Sequence, residues 1–93
     1  MVVGVLTLQI HLPASDSLKA KRAVLNRVKE RVRSRFNVSM AEVDHQDLWQ
    51  RATLGVAAVS GEGSVLERVL HDVLAVIERE DRLSVLDYEI RLQ

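Results

Sequence analysis

Four residues able to do chemistry fall within six positions: Glu42, Asp44, His45 and Asp47. Carboxylates beside an imidazole can hold a divalent ion or relay a proton. Their spacing matches no metal-ligand pattern such as HxxxH, and a turn whose Asp side chains cap backbone amides accounts for the same residues. The turn is the simpler reading, and neither a metal nor a catalytic role is assigned to the cluster. His11 ends the first strand near Pro13, and His71 stands beside Asp72 on a helix; neither has a legible triad partner. Ser39 and Ser60 lack the G-x-S-x-G surroundings of a nucleophile elbow. Gly61-Glu62-Gly63-Ser64 looks like a phosphate-cradling loop, but it lacks the Lys-Ser/Thr of a P-loop and the third glycine of a dinucleotide fingerprint. Ser64 with Glu67 reads better as a capping box opening a helix. No small-molecule cofactor is expected, and no enzyme is legible.

The second constellation is cationic. Lys19, Lys21, Arg22, Arg27, Lys29, Arg31, Arg33 and Arg35 stand against Glu30 alone within residues 18–35, eight against one, a net of +7. The whole chain has 13 basic and 13 acidic side chains, so the remainder carries −7. Arginine forks onto phosphate oxygens bidentately. Lys19, Lys21 and Arg22 also lie near a helix N-terminus, where the macrodipole disfavours cations by roughly a few tenths of a kcal/mol each. The functional reading is a helix that meets the phosphate backbone of RNA. The plainer reading is a solvated face whose cations pair with Glu78, Glu80 and Asp81 on the neighbouring helix.

Trp49 is the only tryptophan. It is either a partner anchor or packing that pins a connection, and packing in the fold or in a dimer is the favoured reading.

These residues need elements to position them. Leu6, Leu8, Ile10 and Leu12 alternate with Thr7, Gln9 and His11, a period of two that Pro13 ends. Over residues 17–35 the period becomes helical: Leu18, Leu25, Val28 and Val32 share a stripe that Val24 widens, with Ser17 or Asp16 as N-cap. Phe36 is expected to pack the helix end, and Asn37 to turn the chain in a left-handed conformation. Residues 37–44 form a second strand, 45–50 a connection and 51–60 a third strand, in which Gly55 marks a bulge or a close approach. A second helix runs from Ser64 to about Arg82, and Leu86, Tyr88, Ile90 and Leu92 then alternate as a half-buried strand.

The order βαββαβ predicts a ferredoxin-like α+β sandwich: one domain over residues 1–93, sheet order 4-1-3-2, both helices on one face. An RRM-like stacking surface is excluded, because the outward positions Thr7, Gln9, His11, Arg51 and Thr53 are not aromatic. Acylphosphatase chemistry is excluded too, since His11-Leu12-Pro13-Ala14-Ser15 is no glycine-rich anion loop. Val3, Val5, Ala57 and Val59 give the outer face a mixed character, so homodimerisation through the sheet is the alternative function.

The apolar fraction is 47% and there are no cysteines, which fits one foldable core and leaves out disulfide and zinc-ribbon chemistry. No apolar run approaches the ~18 residues of a membrane helix. No secretory signal is visible, and a cytoplasmic protein without membrane contact is expected.

Three blocks carry a resemblance: Ser17-Leu18-Lys19-Ala20-Lys21-Arg22; Phe36-Asn37-Val38-Ser39 with Ala41-Glu42; and Asp47-Leu48-Trp49-Gln50-Arg51-Ala52 with Leu54-Gly55. Together they resemble the YlxP-like family of small bacterial proteins, a domain family of unassigned function. The resemblance implies a ferredoxin-like fold. It also implies a translation or ribosome-assembly role, because the family's genes often lie beside those of an initiation factor and a ribosome-binding factor. It supplies no catalytic residues. Family members commonly have Glu where this chain has Ala20, so the first helix lacks the second half of a capping box.

Overall fold

The apolar alternation of the first strand places it at the centre of the sheet, because Leu6, Leu8 and Ile10 are fully buried. Burial of each such side chain contributes about 1.5–3 kcal/mol. The computed structural model describes residues 1–93. Its elements are β1 (Val2–His11), α1 (Leu18–Arg35), β2 (Ser39–Asp44), β3 (Arg51–Ser60), α2 (Gly63–Glu78) and β4 (Ser84–Leu92). The four-stranded sheet has the order β2-β3-β1-β4, which is 4-1-3-2 from the other edge, and every pair is antiparallel. Both helices cover one face, as the right-handed crossovers require. Their buried stripes, Val24, Leu25, Val28 and Val32 on α1 and Leu70, Val73, Leu74 and Ile77 on α2, close the core over β1 and β3.

Two glycines set close approaches. A Cβ on Gly4 would stand 2.8 Å from Leu70 Cδ1, so a larger residue there would force that fully buried side chain to shift. A Cβ on Gly55 would stand 3.1 Å from Val43 Cγ1, so Gly55 marks an approach. Gly55 itself pairs with Ala41, and the register irregularity lies one step on, in β2 between Glu42 and Asp44, opposite Leu54 and Thr53.

Several local expectations are corrected. Asn37 is not left-handed; the one non-glycine residue with positive φ is His45, at 62°. Ser64 does not cap α2. Its N-cap position is Glu62, without a side-chain cap bond, while the Ser60 hydroxyl accepts from the Glu62 N–H at 3.2 Å. The helix ends at Glu78 rather than near Arg82, in a turn in which Glu80 N–H bonds to the Ile77 carbonyl. In β4, the register shifts opposite Gln9/Ile10, so Val85 rather than Leu86 pairs with Ile10. Val85 packs on the core and Leu86 is left 54% exposed.

Candidate functional site

The α1 N-terminus forms as its sequence dictates, with the Ser17 hydroxyl accepting from the Ala20 N–H at 3.0 Å. From that cap the helix aims its cations in three directions. Lys21 turns inward and is completely buried. Its ammonium lies 2.8 Å from Glu42 Oε2 and donates to the carbonyls of His45 (2.9 Å), Gln46 (3.2 Å) and Arg51 (3.3 Å). Lys21 therefore cannot reach a phosphate, and it leaves the set of expected nucleic-acid contacts. A buried ammonium is tolerated only when paired and hydrogen-bonded throughout, which is what Glu42 and the three carbonyls supply.

Arg27 and Arg31, four residues apart, turn toward the α2 end and share Glu80. The separations are 3.2 Å from Arg27 Nη2 to Oε1 and 3.5 Å from Arg31 Nη1 to Oε2. Burial alone would raise the Glu80 carboxyl. The Arg27 hydrogen bond and charge, the Arg82 backbone N–H and the Arg31 charge outweigh it and hold the carboxyl below its ordinary range. The plainer reading of the basic helix thus holds for these two arginines, with Glu80 alone among the three expected acids.

The third group is a stripe. Arg22, Asn26, Lys29 and Arg33 recur at i, i+4, i+7 and i+11, the spacing of one helix face. That face borders β2, where Arg33 Nη2 donates to the Met40 carbonyl at 2.9 Å. None of Lys19, Arg22, Lys29, Arg33 and Arg35 has a carboxylate within ion-pair distance.

The acidic cluster near residue 45 disperses. Glu42 faces the Lys21 ammonium, and Asp44 Oδ1 accepts from the His45 N–H at 2.7 Å, as the turn reading requires. His45 Nδ1 lies 2.9 Å from Thr53 Oγ1, and the Thr53 hydroxyl donates to Gln9 Oε1 at 2.8 Å. This row lies on the sheet face opposite the helices, where Val3 pairs with Val59 and Val5 with Ala57. The mixed outer face is therefore as its residues suggest. His71 is exposed and meets Tyr88 edge-on, with ring centroids 6.5 Å apart.

The connection 45–50 is pinned, but not by Trp49, which is 54% exposed. Lys21 grips it from α1. Gln50 Nε2 reaches the Pro13 and Ser15 carbonyls at 3.4 and 3.3 Å, and the Leu12 N–H bonds to the Gln50 carbonyl at 2.9 Å. The expectation that Trp49 packs within the fold is thus corrected. Lys21 was missed as an internal residue because it lies among cations. The available signal was its place at the 3-4 spacing Leu18, Lys21, Leu25, Val28, Val32, on the apolar stripe.

The architecture defines a ferredoxin-like α+β protein. Two solved designs share the fold: de novo designed protein Foldit4 (TM-score 0.58, 16% identity, covering 100% of this chain and 97% of that one) and de novo designed protein LFR1 1 with ferredoxin fold (TM-score 0.57, 15% identity, covering 100% and 83%). The chain belongs to the family described as Protein of unknown function (DUF503), whose model matches residues 3–90. It is 50% identical over 64 residues to Uncharacterized protein YlxP of Bacillus subtilis (strain 168), covering 69% of this chain and 70% of that relative.

Proposed function

We propose that the protein is a non-enzymatic RNA-binding protein that acts through α1, with ribosomal RNA or a ribosomal subunit as the partner that suits the translation or ribosome-assembly role the family resemblance implies. One observation carries this reading. Three cations without a carboxylate partner, Arg22, Lys29 and Arg33, share one face of α1, while Arg27 and Arg31 are taken up by Glu80 on the other flank. Arg33 gives one N–H to the Met40 carbonyl and keeps the rest of its fork, and a stripe without acids is available to phosphate. The stripe cations, seven and four residues apart along one face, repel one another, and phosphate oxygens between them relieve that repulsion. The non-enzymatic part rests on the candidate groups. The hydroxyl facing His45 belongs to Thr53, which is only 5% exposed, and Ser60 serves the turn before α2.

The test is co-sedimentation of the protein with ribosomal subunits at low and at high salt. Retention on one subunit, released as salt rises, is the expected result. Absence from every ribosomal fraction at low salt overturns the ribosomal assignment.

A further inference from the structure

We infer that the ligand of this surface is single-stranded RNA, with one unstacked base seated against Trp49 and the adjoining backbone running along the α1 stripe. The inference rests on the RNA-binding reading and adds the strand state and a base-binding residue.

Trp49 is the most exposed aromatic side chain of the protein, and no other ring packs on it. Indole is ordinarily among the more buried side chains, so an uncovered one on a fixed loop is informative. The loop is fixed. Lys21, Gln50 and the Leu12 amide hold it from three directions, and the Leu48 N–H bonds to the His45 carbonyl at 3.1 Å. The ring is therefore presented with little conformational freedom left to lose on binding.

The same grip places the loop beside the stripe. Lys21 joins it to the first turns of α1, and Arg22, the first cation of the stripe, follows Lys21 directly. Trp49 with Asp47, Leu48, Gln50 and Arg51 lines a shallow hollow that is open to solvent. Its chemistry suits a base better than a phosphate. Asp47 in its lining repels an anion but accepts from base N–H groups. Bases stacked on aromatic rings while cations track the backbone is the common pattern for single strands. A duplex keeps its bases stacked on one another and offers none to Trp49.

Because Trp49 is the sole tryptophan, its fluorescence reports the site directly. The experiment titrates the full chain with a single-stranded RNA of about a dozen nucleotides and with a duplex of the same length, following indole quenching and binding anisotropy together. Quenching by the single strand and not by the duplex is expected. Trp49→Ala should weaken single-strand binding roughly 5- to 100-fold, Trp49→Phe should restore most of it, and duplex binding should be unchanged in both. If Trp49→Ala loses its fold, the wild-type quench and Trp49→Phe decide. Single-strand binding without quenching, undiminished by Trp49→Ala, overturns the inference and leaves RNA binding by the stripe in place. Failure of wild type to bind either RNA overturns both.

Discussion

Lys21 is the residue on which the arrangement turns. Its ammonium is the one full charge completely withdrawn from water, and four oxygens from β2, the connection and β3 converge on it. Lys21→Met keeps the stem volume but leaves Glu42 and three carbonyls without their donor. Breaking one side of such a pair costs about 3–5 kcal/mol. For a domain this size that lowers Tm by roughly 12 °C or more. Thermal unfolding of Lys21→Met beside Lys19→Met checks this, because Lys19 is exposed and its replacement should leave Tm nearly unchanged. Equal losses in the two variants would show that the enclosure contributes nothing special. Burial by partners more than twenty residues away is invisible in a list of cations, which is why Lys21 looked like Lys19 and Arg22. The same limit hid the solvent exposure of Trp49: a loop tryptophan reads as packing until the groups that actually hold the loop are known.

At the scale of elements, α1 is a helix with an inner stripe and two unlike flanks. One flank meets Glu80, whose carboxyl is held below its ordinary value of 4.5. A carboxyl with a lowered folded value binds its proton more readily unfolded, so it stabilises the fold fully above pH 4.5 and loses that contribution as pH falls through the lowered value. Glu80→Gln should therefore reduce stability by about 1 kcal/mol at neutral pH. The difference from wild type should shrink as the solution is acidified below 4.5. Urea unfolding at a series of pH values measures it, and a difference that does not vary with pH would remove Glu80 as the acid-sensitive clasp. Element boundaries were legible where period and punctuation agree. The β-branched run over residues 51–60 is β3, as its composition predicts, and β1 does stop before Pro13. They were not legible where two apolar residues adjoin. Val85 and Leu86 fit either face equally well, and only pairing with β1 selects Val85. The α2 entry misled for a related reason, since Ser64 and Glu67 have the spacing of a capping box although the helix begins one residue earlier, at Gly63.

At the scale of the whole molecule, a formal charge of zero conceals a separation of charge. The protein extends over 42 × 21 × 17 Å, whereas charges in physiological salt are screened beyond about 8 Å. The field in front of the α1 stripe is therefore set mainly by the charges nearest it, and zero net charge does not argue against a polyanionic partner. A quantitative expectation follows from counterion release. Each phosphate neutralised on a single strand adds about 0.7 to the steepness with which log binding falls against log salt. Replacing Arg22, Lys29 and Arg33 by Gln should weaken binding and flatten that slope by about 2. Replacing Arg68, Arg79 and Arg91 by Gln removes the same charge from the acid-rich remainder and should leave the slope nearly unchanged. Affinities at four or five salt concentrations decide between local and global action of charge. If both triple variants flatten the slope equally, the partner senses only the total charge of the protein and α1 holds no defined contact. Flattening confined to the α1 variant means that phosphates lie against that face of the helix, where no carboxylate of the protein competes for the cations.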